Sequence, residues 1–215
     1  MTGVAADATL YGIVDLSYVS ATDAPEVTRE MLRGGVDLIQ LRAKSHSLRE
    51  IAELGRELHN ITRDAGIPLI INDHADIARD IGAEGVHVGQ DDQSIVDVRA
   101  VTGADCIIGK STHSLPQAEA AALEASDYIG FGPLFATPTK PDYVPIGLDG
   151  IARVHELVRF PTFCIGGIKL ENLAQVIAAG AQRVVIVSGL LQARDVASYA
   201  RACKALLNRN SEDPH

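Results

Sequence analysis

Short apolar segments rich in β-branched residues recur along the chain at nearly regular intervals. We predict eight strands, at residues 10–15, 38–42, 68–72, 85–88, 106–109, 128–132, 162–165 and 183–187. Between them, apolar residues at spacings of three or four predict helices. The clearest helical face is formed by Leu48, Ile51, Leu54, Leu58 and Ile61. The strands are continuously apolar rather than alternating, which is typical of a parallel sheet covered on both sides.

This alternation of strands and helices indicates an α/β fold built from right-handed βαβ units. Eight such units within 215 residues predict a single (β/α)8 TIM barrel. We expect one domain over residues 1–215, with a core at about residues 10–207 and a short polar C-terminal tail. An open doubly wound sheet is the structural alternative. Both folds bind ligands at the carboxyl-terminal ends of the strands.

Composition and charge narrow the classes of partner. The net charge of −9 disfavours nucleic acid, because a phosphate backbone requires a basic surface. The apolar runs are much shorter than the ~20 residues that span a membrane. The N-terminus carries no secretory signal pattern, so we expect a cytoplasmic protein. The three cysteines lack metal-ligand spacing, and the motifs of triad hydrolases, P-loop proteins and dinucleotide-binding proteins are missing from the sequence.

Cationic side chains follow the second predicted strand. In extended backbone Gln40, Arg42 and Lys44 point the same way, so one amide and two cations share a face. This set suits a phosphate or diphosphate group. The alternative is a solvated strand end with incidental charges.

Carboxylates follow the third and fourth predicted strands, at Asp73 and Asp92. Mg²⁺ is commonly held by two carboxylates together with substrate phosphate oxygens and water, and side chains from adjacent barrel strands can reach one point. The sequence therefore predicts a magnesium site. The alternative is that each aspartate caps the helix that follows it.

Further polar groups lie at the ends of the later strands. Residues 109–113 carry hydroxyl groups that could donate to phosphate, and the 137–140 loop carries threonines and a lysine. Gly166 and Gly167 expose backbone N–H groups at the position where these barrels bind phosphate. The histidines at 74, 87 and 113 flank these ends without zinc-site spacing, so we favour a structural role over a direct chemical one, and the sequence does not decide the roles of His87 and His113.

Taken in order, these landmarks resemble the thiamine-phosphate synthase family. The matching segments are residues 40–44, 71–73, 89–92, 109–113, 127–133, 137–140, 165–168 and 187–188. The likeness extends from about residue 10 to about residue 207. The family fold is a (β/α)8 barrel, in agreement with the count of strands.

The resemblance implies a transferase that joins hydroxymethylpyrimidine diphosphate to hydroxyethylthiazole phosphate, with release of pyrophosphate. The residues it implies for the pyrimidine diphosphate are Gln40, Leu41, Arg42, Ala43, Lys44, Asn72, Ser111 and Lys140. Those implied for the thiazole phosphate are Thr137, Pro138, Thr139, Gly167, Val187 and Ser188. Asp73 and Asp92 would bind Mg²⁺, and a homodimer is implied as well. Arg42, Lys44, Ser111 and Lys140 would be the catalytic residues.

Some positions depart from the family pattern or leave alternatives open. Ala43 replaces a frequent acidic residue, and His74 replaces a frequent arginine. The ending 187–189 is similar to that of the sister family, the thiazole tautomerases, which usually lack the aspartate pair and the 137–140 loop. A barrel that binds thiamine phosphates without turnover is a further alternative. The sequence does not decide whether Asp91 or Asp92 contacts the metal.

Overall fold

The computed structural model of the chain describes residues 7–137 and 144–212. Its parallel strands form a closed barrel in the order β1 to β8. Their bounds are β1 Leu10–Asp15, β2 Leu38–Arg42, β3 Leu69–Asn72, β4 Gly85–Val88, β5 Ile107–Thr112, β6 Tyr128–Phe131, β7 Thr162–Cys164 and β8 Val184–Ile186. The predicted barrel is confirmed: the bounds of β1, β2 and β4 are as predicted, and the ends of the other strands differ by at most three residues.

Helices surround the strands. In the described ranges they are α1 Ala24–Arg33, α2 Leu48–Asp64, α3 Ala75–Ile81, α4 Ile95–Thr102, α5 Leu115–Leu123, α6 Gly150–Leu157, α7 Leu170–Ala178, α8 Ser188–Leu191 and α9 Val196–Glu212. Helix α2 begins with a capping box in which Ser47 and Glu50 bond reciprocally. Its apolar face is as predicted except for Leu48, whose position in the first turn leaves it 61% exposed. No helix of the described chain is long and apolar enough to cross a membrane.

The barrel closes where β1 pairs with β8. Leu10, Tyr11 and Gly12 pair in parallel register with Val184, Val185 and Ile186. This pairing excludes the open doubly wound sheet, because an open sheet leaves its first and last strands unpaired.

Alternation along each strand separates two apolar regions. Side chains that point outward pack against the helices and form the larger region, which contains Leu41, Val86 and Ile108. Side chains that point inward fill the barrel, among them Tyr11 and Phe163. Because both regions are apolar, the strands read as continuous hydrophobic runs.

Three aromatic rings occupy the centre of the barrel. Tyr11, Tyr128 and Phe163 meet edge to face, with ring centroids 5.4–5.9 Å apart. Gly109 makes room for one of them, since a Cβ at that position would lie 2.1 Å from Cζ of Tyr128. The rings close the bottom of the space that opens at the carboxyl-terminal ends of the strands.

Carboxylates anchor the opposite, amino-terminal rim in a repeated arrangement. Asp37, Glu84 and Asp127 each lie immediately before an even-numbered strand. Each carboxylate accepts a backbone N–H of the preceding odd-numbered strand, from Leu10 at 2.9 Å, Leu69 at 2.8 Å and Ile108 at 2.8 Å. A basic side chain also contacts each of them: Lys204, His59 and Arg99, respectively. These contacts fix the lower end of neighbouring strands.

Replacement of one of these carboxylates tests their contribution to stability. In Asp127→Ala the N–H of Ile108 and the guanidinium of Arg99 lose a partly buried acceptor. We expect the free energy of unfolding to fall by about 1–3 kcal/mol, as measured by urea denaturation. Asp105→Ala, which removes an exposed carboxylate on the loop before β5, is the matched control. Equal stability of the two variants would contradict this account.

Candidate functional site

A cavity opens at the carboxyl-terminal end of the barrel, as the fold class predicts. Residues from all eight strands or the loops after them line it. Its floor contains Tyr11 and Tyr128, and its rim carries charged side chains of both signs. Most of the described residues that the sequence marked as site candidates face this one space.

The face of β2 that the sequence predicted is confirmed. Gln40, Arg42 and Lys44 all line the cavity. Leu41 and Ala43 point the other way and belong to the apolar layer under the helices, where they are 1% and 6% exposed. Of these two predicted binding residues, only the backbone can reach a ligand in the cavity.

The guanidinium of Arg42 is held in place by Asp15 at the end of β1. Arg42 Nη1 lies 2.6 Å from Asp15 Oδ2, and the carboxylate is buried. The other oxygen, Oδ1, accepts the backbone N–H of Ser17 at 2.9 Å and its hydroxyl at 2.8 Å. Asp15 thus orients Arg42 toward the cavity. Sequence reasoning missed it, although an acidic residue ending a strand was the available signal.

Asp73 lies between a cation and a second carboxylate. Its Oδ2 accepts a hydrogen bond from the Lys44 ammonium, and its side chain lies close enough to that of Asp92 for the two carboxylates to interact. Burial raises the pKa of the Asp73 carboxyl, Lys44 lowers it, and Asp92 raises it. The Asp73 backbone has a φ of 65°, a left-handed conformation that aspartate tolerates better than most residues.

The capping alternative for the two aspartates is wrong. The residue that caps α3 is His74, and its side chain makes no capping bond. Helix α4 is capped by Ser94, which accepts the N–H of Asp97. Asp92 instead accepts the N–H of Gly89 at 2.7 Å and lines the cavity beside Asp73.

The aspartate pair fits a divalent cation in the way that Mg²⁺ is often bound. Two neighbouring carboxylates face the cavity, where phosphate oxygens and water would complete the coordination. Protein side chains alone do not form a complete metal site in the described part of the chain. No group of three or more His, Cys, Asp or Glu side chains there could hold a metal ion. Asp91 and Asp92 are both exposed, but of the two only Asp92 lines the cavity.

The hydroxyl cluster predicted after β5 is only partly present. The strand continues to Thr112, so alternate residues turn away from the cavity. Lys110 contacts Glu124 at 3.3 Å, and Thr112 donates to the carbonyl of Gly130 at 3.0 Å. Ser111 faces the cavity, where its Oγ lies 2.9 Å from Nε2 of His87.

The loops after β6 and β7 pack closely against each other. Phe135 donates its N–H to the carbonyl of Gly166 at 3.0 Å, and a Cβ on Gly167 would lie 2.7 Å from that of Phe135. Gly167 also has a φ of 67°, so glycine is required there for two reasons. Thr137 lines the cavity, whereas Pro138, Thr139 and Lys140 lie outside the described residues.

The remaining site candidates also line the cavity. Asn72 ends β3, Val187 follows β8, and Ser188 begins the short helix α8. His87 and His113 line the same space, although sequence reasoning favoured a structural role for them. Their inward orientation follows from strand alternation and register. The register cannot be predicted from the few polar residues at the end of a strand.

Comparisons with known proteins agree with this geometry. A family model described as thiamine monophosphate synthase matches residues 10–190. The thiamine-phosphate synthase of Shouchella clausii is 43% identical over 204 residues, which cover 94% of this chain and 98% of the relative. That of Chloroflexus aurantiacus is 40% identical over 204 residues, covering 94% of each chain. The solved thiamine phosphate pyrophosphorylase from Pyrococcus furiosus has a TM-score of 0.87 at 30% identity and covers 96% of this chain and 98% of its own.

The surroundings of Asp73 can be tested by titration. Asp92→Asn removes a negative charge and should lower the pKa of Asp73, whereas Lys44→Met removes a positive charge and should raise it. Carboxylate ¹³C NMR in the presence of a chelator measures both shifts. Asp91→Asn, which neutralises an exposed neighbour, should leave the pKa of Asp73 unchanged. Shifts of the same sign in the first two variants would contradict the arrangement.

Proposed function

The chain belongs to the thiamine monophosphate synthase family, and on that premise we propose how its residues form thiamine phosphate from two phosphorylated substrates. The protein is a transferase, like the relatives that carry the synthase name. The thiazole tautomerase and the non-catalytic binding barrel find no support among these relatives. The observation that carries the residue assignment is the joint placement of Arg42, Lys44, Asp73 and Asp92 at one cavity mouth.

The substrates are a hydroxymethylpyrimidine diphosphate and hydroxyethylthiazole phosphate. The bond between the pyrimidine methylene carbon and the diphosphate oxygen breaks first, and its electron pair leaves with pyrophosphate. The thiazole nitrogen then donates its lone pair to the methylene carbon and closes the new C–N bond. Such a substitution requires stabilisation of the charge that develops on the leaving group rather than a strong base.

The cationic side chains of β2 are suited to that stabilisation. Asp15 fixes the guanidinium of Arg42, so its donors are oriented before the diphosphate arrives. Lys44 lies on the same face of the strand and already contacts Asp73. Lys140 completes the cationic set in the family pattern. Fixed donors at the leaving group lower the barrier because they need no reorganisation during bond breaking.

Asp73 and Asp92 would hold a Mg²⁺ ion. When bound, the ion supplies positive charge to the diphosphate oxygens. The two neighbouring carboxylates place negative charges close together, and a divalent cation would relieve that repulsion. Burial, and then the neighbouring Asp92, raise the pKa of the Asp73 carboxyl, while Lys44 lowers it.

The two substrates are assigned to separate sets of residues. Gln40, Asn72 and Ser111 lie toward β2–β5 and would hold the pyrimidine. The thiazole phosphate is assigned to Thr137, Pro138, Thr139, Gly167, Val187 and Ser188. Separate phosphate sites hold the thiazole nitrogen and the methylene carbon in register, which converts a bimolecular encounter into an oriented reaction. A homodimer and a cytoplasmic location stay predictions.

Removal of one metal-binding carboxylate tests this assignment. We expect Asp92→Ala to lose at least about a hundredfold of Mg²⁺-dependent thiamine phosphate formation, because the leaving-group charge then lacks its main counter-charge. Asp91→Ala should retain wild-type turnover. Product and pyrophosphate are measured with both substrates present, with and without a chelator. Full activity of Asp92→Ala, or equal loss in both variants, would overturn the assignment.

A further inference from the structure

A continuous line of hydrogen bonds crosses the floor of the cavity. It runs from Gln40 Nε2 to the hydroxyl of Tyr11, from there to the hydroxyl of Tyr128 at 3.0 Å, and on to Nδ1 of His87 at 3.0 Å. The other imidazole nitrogen, Nε2, lies 2.9 Å from Oγ of Ser111. The line thus joins two residues assigned to the pyrimidine through three side chains that have no assigned role.

Both phenols in this line are fully buried and neutral. Burial raises the pKa of Tyr11 and of Tyr128 well above the usual range for tyrosine. Each phenol therefore carries one proton that it can donate and an oxygen that can accept. A buried hydroxyl proton without an acceptor costs free energy comparable to its desolvation, so a satisfied arrangement is strongly favoured.

Counting these protons gives the line a direction. Gln40 donates to the oxygen of Tyr11, which leaves the Tyr11 proton for the oxygen of Tyr128. The Tyr128 proton then goes to Nδ1 of His87. If Tyr128 donated to Tyr11 instead, the Tyr11 proton would need another acceptor, and the Gln40 group that faces it is the donating amide nitrogen. With the Gln40 amide in this orientation, the satisfied arrangement places the His87 proton on Nε2, which donates to Ser111.

We propose that Tyr11, Tyr128 and His87 are positioning residues that orient the hydrogen-bonding groups of Ser111 and Gln40 toward the pyrimidine diphosphate. Ser111 accepts from His87, so its own proton is directed to the substrate. Gln40 donates its amide N–H to Tyr11, so its carbonyl oxygen is the acceptor that it offers on the cavity wall. The identity of the substrate in this inference rests on the proposed function, whereas the direction of the hydrogen bonds does not.

Packing holds the line in place independently of any ligand. The Tyr128 ring packs edge to face on Phe163, with centroids 5.6 Å apart, and fills the space above Gly109. The His87 ring lies 5.5 Å from the Tyr128 ring. Because these rings are fixed by apolar contacts, removal of a single hydroxyl oxygen can break the line without disturbing the rings.

The direction is measured by ¹⁵N NMR of histidine-labelled protein without substrates. A protonated ring nitrogen and an unprotonated acceptor nitrogen resonate far apart, so the spectrum identifies the tautomer of His87. We expect the proton on Nε2 in the wild type and a mixture of tautomers in Tyr128→Phe. A His87 proton on Nδ1 in the wild type would overturn the proposed direction.

The effect on catalysis is tested with a double-mutant cycle. Tyr128→Phe should lower kcat/KM for the pyrimidine diphosphate about fivefold to tenfold, the cost of one buried hydrogen bond, and leave the KM for the thiazole phosphate unchanged. In a Ser111→Ala background the same substitution should cost less than it does in the wild type, because the part of its effect that passes through Ser111 is already lost. Additive losses, or an equal rise of both KM values, would contradict the positioning role.

A matched control removes a tyrosine hydroxyl elsewhere. Tyr199 accepts the N–H of Leu170 and does not line the cavity, so Tyr199→Phe should leave both KM values and the His87 spectrum unchanged. Should the wild type form no thiamine phosphate, the proposed function fails, while the NMR result still decides the direction of the line. An unchanged His87 spectrum in Tyr128→Phe would overturn the inference by itself.

Discussion

The closed ring of parallel strands is the constraint from which the rest of this structure follows. Its shortest section of pairing is between β7 and β8, where a single register pair joins Cys164 to Val184. Once the ring is closed, strand alternation leaves each side chain either in the barrel or under the helices. Along β2 this sends Arg42 into the cavity and Leu41 into the helical layer. The chemistry of the site therefore depends on which residues of each strand point inward, as well as on residue type.

The sequence predicts those parts of the structure that depend on local pattern. The eight strands, the barrel and the cationic face of β2 all follow from apolar periodicity and from the spacing of charges. The extent of β5 does not, because Lys110 and Thr112 are polar and enter the sheet through pairing with Ile129 and Phe131 on the neighbouring strand β6. The partnership of Asp15 with Arg42 is missed for the same reason, since it depends on the register between two strands.

Carboxylate side chains have different surroundings at the two rims of the barrel. At the amino-terminal rim Asp37 accepts from the backbone of β1 and from Lys204, so its charge is matched by fixed partners. At the carboxyl-terminal rim Asp73 lies beside another carboxylate, Asp92, an arrangement that costs stability when both are charged. Proteins commonly accept such local costs at sites of function and recover them elsewhere. In this barrel the paired carboxylates of the amino-terminal rim contribute such compensating stability.

The absence of a side chain at Gly109 affects packing beyond its own strand. The position is on β5, yet the volume of its missing side chain is occupied by a ring from β6. A methyl group there would push Tyr128 away from both Tyr11 and His87. The sizes of residues 109 and 128 are therefore coupled: a larger residue at 109 requires a smaller one at 128. Descendants of this chain that exchange the tyrosine for a smaller residue would be free to vary the glycine.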